Sequence, residues 1–184
     1  MSEDRPKRKR INRMVGAVEV KDDLAFTECL GSKSAKEIRT TPHNINLELW
    51  FAKHYHNRDQ FVDEDGNQRD IPPLDIEALV TKGLKHLIFY SAVVKGFTFL
   101  NHEDYPGIIR VVLKDTYSKS SALSVLIQSH FKNFSKYQIT VITAIDAHIH
   151  MASGQYCVEF VGDSHSVLKK RDNGKFVEIL SCQD

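Results

Sequence analysis

The chain reads as an α+β protein in which two N-terminal helices pack on a curved antiparallel β-sheet. Three observations predict it. Residues 108–146 contain three β-branched runs broken by short polar segments, the pattern of consecutive antiparallel strands. Two upstream stretches carry apolar residues at helical spacing. No Gly/Pro-rich or low-complexity segment divides the 184 residues, so one domain is expected over residues 37–184, preceded by a basic, flexible tail over residues 1–36.

The strand runs alternate cleanly. In the first, Ile109, Val111 and Leu113 share a face opposite Arg110 and Lys114. In the second, Val125 and Ile127 oppose Gln128 and His130. In the third, Tyr137, Ile139, Val141 and Ile145 oppose Gln138, Thr140 and Asp146. The sheet should therefore have one apolar and one mixed face, and the helices are the natural cover for the apolar one.

Thr41-Pro42 is a helix-start signal, and Ile45, Leu49 and Ala52 then predict a helix reaching about Asp59. Asp75 is read as the N-cap of a second helix, with Ile76, Leu79, Val80, Leu84, Leu87 and Ile88 on one face and an end near Lys95-Gly96. Residues 29–39 read as a loop and 61–70 as an acidic turn. Beyond the central strands, Tyr156–Val161, Ser166–Lys169 and Phe176–Leu180 look extended, and Asn173-Gly174 is a hairpin turn signal.

Composition bounds the function. Hydrophobic content of 41% and charged content of 27% are ordinary for a globular protein. No apolar run approaches the ~20 residues that span a bilayer, and no apolar signal segment follows the N-terminal charges, so a cytoplasmic protein without membrane contact is expected. Cys29, Cys157 and Cys182 lack the spacing of a disulfide framework or zinc site. The net charge of +1 hides an asymmetry: Arg5, Lys7, Arg8, Lys9, Arg10 and Arg13 against Glu3 and Asp4 give residues 1–13 a charge of +4. Such a cluster is drawn to nucleic-acid phosphate or an anionic partner.

No phosphate loop, dinucleotide fingerprint or nucleophile elbow occurs, and no cofactor is expected. No metal is expected either; the weak alternative is Asp146 with His148 and His150 beyond the third strand. What remains suits metal-independent RNA cleavage, which needs an acid–base pair and cations for phosphate. The candidates are His43, Arg58, Lys114 and His130.

The matching segments are Thr41-Pro42-His43, Asn57-Arg58-Asp59, Asp75-Ile76-Glu77 and the strand runs from Ile109 to Ile145. Over residues 40–146 this layout resembles the RelE-like and RegB-like small endoribonucleases of toxins and phages. The resemblance implies two helices on a curved antiparallel sheet, mRNA cleavage without metal, and RNA or a nucleoprotein complex such as the ribosome as partner. The body departs from that family in lacking a dense Lys/Arg sheet face. A non-enzymatic phage or accessory module that docks on a host protein or nucleic-acid-processing complex is the alternative.

Overall fold

The computed structural model describes residues 27–41, 46–53, 55, 71–102, 107–116, 122–132 and 136–183. Among them are ten strands and one long helix. In chain order these are β1 (Thr27–Cys29), β2 (Ser32–Thr41), β3 (Asn46–Ala52), α1 (Pro73–Val93), β4 (Leu100–Asn101), β5 (Val111–Asp115), β6 (Leu123–Lys132), β7 (Lys136–Ile145), β8 (Tyr156–Phe160), β9 (His165–Asp172) and β10 (Lys175–Gln183). All strands join one sheet in the order β1-β2-β3-β7-β6-β5-β8-β9-β10, with β4 also paired to β6.

The two-helix, antiparallel expectation is corrected on three counts. Within the stretch expected as a helix over Thr41–Asp59, Thr41 ends β2 and Asn46–Ala52 is strand β3, while residues 42–45, 54 and 56–59 lie outside the described residues. Leu47, Leu49 and Phe51 point into the core and Glu48 and Trp50 to the far face, a period of two. Leu49 and Ala52 fit helical spacing equally well, and partnership with β7 decides the matter. The sheet is also mixed, because β3 runs parallel to β7, β5 to β8 and β4 to β6. Finally, the segment expected as a loop over residues 29–39 lies largely in the β1–β2 hairpin, and β2 pairs in turn with β3.

Helix α1 matches its expected extent. It starts one turn early, with Pro73 where a missing N–H costs nothing, and the Pro72 carbonyl accepts from the Asp75 N–H at 2.9 Å. Asp75 thus sits in the first turn instead of capping. The helix buries Ile76, Leu79, Val80, Leu84, Leu87 and Tyr90 against the sheet. Gly83 sets how close it lies: a Cβ there would meet Leu113 Cδ1 at 2.6 Å. Inside, the Tyr90 hydroxyl donates to the Ser166 carbonyl at 2.9 Å, and Ser166 Oγ lies 2.9 Å from His86 Nδ1, so the polar groups buried under the helix satisfy one another.

The apolar face is as expected except at Ile109, which precedes β5 and joins neither apolar cluster, and at Ile145. A register shift between Leu126 and Ile127 leaves Ile142 without an opposite residue, so Ala144 reaches the core where alternation pointed to Ile145. Asn101 is a clip: its Nδ2 donates to the carbonyls of Ile109 and Ser129 at 2.9 and 3.0 Å, and its Oδ1 accepts from the Ile109 N–H at 2.7 Å.

Candidate nucleic-acid interface

The far face of the sheet, away from α1, carries the charge. Lys114 (β5), Glu159 (β8), Lys169 (β9) and Glu178 (β10) form a ladder across four strands. Lys114 Nζ lies 2.8 Å from Glu159 Oε1, Lys169 Nζ 2.7 Å from Glu159 Oε2 and 3.6 Å from Glu178 Oε1. Burial pushes the Glu159 carboxyl up, but the hydrogen bonds and charges of the two lysines outweigh it and hold the group below the ordinary glutamate range. A second cluster stands at the far end of β6 and β7. There Lys136 and Lys132 flank the buried Glu48 carboxylate, the latter at 3.5 Å, and overcome its burial in the same way. The β1–β2 turn lies on Thr140 nearby: Cys29 Sγ is 3.4 Å from Thr140 Oγ1, and a Cβ on Gly31 would meet that oxygen at 2.5 Å.

This arrangement separates the expected catalytic residues that are described. Lys114 pairs across with Ser124, six residues from His130 along β6. At about 3.3 Å per residue that is roughly 20 Å. The Lys114 ammonium is spent on Glu159. His130 stands opposite Gln138, its pKa lowered by burial and its Nδ1 buried without a hydrogen-bond partner among the described residues. His43 and Arg58 lie outside the described residues, as do Arg5, Lys7, Arg8, Lys9, Arg10 and Arg13. Asp146, His148 and His150 are exposed, and among the described residues no three His, Cys, Asp or Glu side chains converge as a metal site would need.

A different cluster comes together at the β9–β10 hairpin. Asn173 and Gly174 have φ of 45° and 83°, the paired positive values of a tight two-residue hairpin turn. The turn brings Lys170, Arg171 and Lys175 to one tip. Strand β9 is braced along its length by β8: Tyr156 opposes Lys170, and beyond the strand the Arg171 N–H donates to the Gln155 carbonyl at 2.8 Å. The platform is therefore held by backbone hydrogen bonds on one side, whereas β10, among the described residues, pairs only with β9 and is exposed from Lys175 to Ser181.

Cations and aromatic rings interleave on both faces of the tip. On the far face Arg171 opposes Phe176, with the guanidinium carbon 5.0 Å from the ring centroid. On the helix face Lys170 Nζ lies 5.3 Å from the Tyr156 centroid. Among the described residues none of Lys170, Arg171 and Lys175 has a carboxylate within ion-pair distance. Residues 169–175 hold four cations (Lys169, Lys170, Arg171, Lys175) and one anion (Asp172), or +3. With +4 in residues 1–13 and +1 overall, the remainder of the chain carries 1 − 4 − 3 = −6. Positive charge is thus segregated into two short segments of an acidic body.

Sequence reading used Asn173-Gly174 as a turn signal and passed over the cations around it. Lys-Lys-Arg before the turn and Lys-Phe after it were the available signal. No protein-family model, curated protein or solved structure matches this chain. Among the described residues no helix is long and apolar enough to cross a membrane.

Proposed function

We propose that this protein is a nucleic-acid-directed binding module, with RNA the first candidate, that grips the phosphate backbone through Lys170, Arg171 and Lys175 of the β9–β10 hairpin and through the basic residues Arg5–Arg13. The observation that carries this reading is the tip of a braced hairpin on which Lys170, Arg171 and Lys175 stand without a carboxylate in ion-pair reach among the described residues, set against an otherwise acidic chain. Lysine and arginine without a carboxylate partner lose little on meeting phosphate and release its condensed counterions, so affinity of this kind is steeply salt-dependent. The acidic remainder confines the contact to these two segments, because it repels the same polyanion elsewhere.

Cleavage is not part of the proposal. Acid–base chemistry on phosphate needs the base and the cation within hydrogen-bond reach of one substrate group, and Lys114 and His130 do not meet that condition.

The test is titration of a short labelled RNA at several salt concentrations. Each phosphate contact on a single strand contributes about −0.7 to the slope of log K against log salt. The Lys170→Ala/Arg171→Ala/Lys175→Ala variant should flatten that slope by about 2. An unchanged slope and affinity would reject the reading. RNA cleavage that persists in EDTA and is lost in His130→Ala would replace it with the endoribonuclease.

A further inference from the structure

We infer that Phe176 is a stacking platform for an unpaired nucleobase, so that the hairpin selects single-stranded over duplex nucleic acid. The inference rests on the binding reading above and adds what is read there. Phe176 lies on the outermost strand with 48% of its surface exposed and belongs to neither apolar cluster of the core. Its ring is not needed by the fold, yet it is positioned: Arg171 stands opposite it in register and lays its guanidinium over the ring. A base placed on the open part of the ring completes a stack of guanidinium, phenyl and base, and a strand that then passes over the hairpin tip brings its neighbouring phosphates to Lys175 and Lys170 on the other face. Bases in a duplex are already stacked on one another and cannot be offered this way; those of a single strand can.

The surrounding charge decides between a nucleobase and a second copy of this chain as the occupant. Two copies meeting here would bring together two tips on which Lys170, Arg171 and Lys175 outnumber Asp172, an excess of +2 each, and these repel, whereas a polyphosphate is attracted. RNA and DNA single strands share the chemistry used, and both belong in the test.

The experiment compares fluorescence anisotropy of a short single-stranded RNA, the DNA of the same sequence and the corresponding duplex, for the wild type, Phe176→Leu and Phe176→Trp. Single strands should bind more tightly than duplex. Phe176→Leu should weaken single-strand binding by about 5- to 150-fold, the range expected for one base–aromatic stack, with the duplex affinity, the salt slope and the thermal transition unchanged. Phe176→Trp should retain the preference. Equal affinity of wild type and Phe176→Leu for single strands, or equal losses on single strands and duplex, would overturn the inference while leaving phosphate binding intact. Absence of binding to every probe would remove both readings. A two-fold rise in mass on size exclusion that Phe176→Leu abolishes would overturn the inference in favour of self-association.

Discussion

Glu159 holds two lysines from opposite sides, Lys114 at 2.8 Å and Lys169 at 2.7 Å, and through Lys169 it anchors the strand that carries the basic hairpin. With side-chain exposures of 14% for the glutamate and 17% and 20% for the lysines, the triad is sheltered enough for its charges to matter. The carboxyl is depressed in the folded state, so the unfolded chain takes up its proton first as pH falls. Its stabilisation is therefore present above the ordinary glutamate pKa of about 4.3 and is lost as pH drops below it. Glu159→Gln should cost about 1.5–3 kcal/mol at pH 7, the range for charge-assisted hydrogen bonds, and should make the acid-side fall of stability shallower. Urea unfolding between pH 3 and 7 measures both, and Glu48, depressed likewise by Lys136 and Lys132, accounts for the slope that remains.

The seat of the helix is tested at Gly83. Alanine there gains about 1 kcal/mol in helix propensity but drives a methyl into Leu113, which is fully buried; overpacking of this kind costs about 1–3 kcal/mol. Leu113→Ala alone opens a cavity at a cost of about 2–5 kcal/mol. The two changes share the same space, so the double variant should be more stable than the sum of the singles predicts. Additivity within 0.5 kcal/mol in a urea-unfolding cycle would show that the helix does not rest on that contact.

Helix α1 was legible because six apolar positions from Ile76 to Ile88 keep one face and Pro72-Pro73 marks the start. The central strands and the Asn173-Gly174 turn were legible for equally local reasons. Strand β3 was not, because in Leu-Glu-Leu-Trp-Phe-Ala the positions 49 and 52 satisfy a helix and 47, 49 and 51 a strand. The tie is broken by β7, nearly a hundred residues away, and parallel partners leave no local signature. Ile145 was misplaced for a similar reason: one bulged residue at Ile142 inverts the alternation after it. At the candidate interface the cations stood in plain view, but only the pairing of Arg171 with Phe176 and of Lys170 with Tyr156 makes a surface of them.

Gly174 ties the interface to the turn. At φ 83° an alanine is strained, and the left-handed conformation costs a residue with a Cβ about 1–2 kcal/mol. The turn sits far from the core, so Gly174→Ala should leave the α1 packing unchanged while loosening the register that brings Lys175 beside Asp172 and Phe176 beside Arg171. The expected result is faster amide exchange confined to β9 and β10, together with weaker nucleic-acid binding than the wild type. Uniform loss of protection across the sheet would instead make the hairpin part of the global folding unit.

His130 gives a second, separable pH response. Burial lowers its pKa, and among the described residues its Nδ1 finds no hydrogen-bond partner that would repay protonation. The unfolded chain, with an ordinary histidine pKa near 6.5, accordingly binds the proton first, and stability should decline as pH falls from about 6.5, well before the carboxylates respond. His130→Leu removes the titrating group together with its unpartnered nitrogen, so it should abolish the decline between pH 6.5 and 5 and be near neutral or stabilising at pH 7. The fall below about pH 4.3 should persist in that variant, because it belongs to Glu48 and Glu159. A wild-type stability that stays flat from pH 7 to 5 would mean that water reaches His130 in the folded state, and the imidazole would then be free to take a proton from a bound substrate.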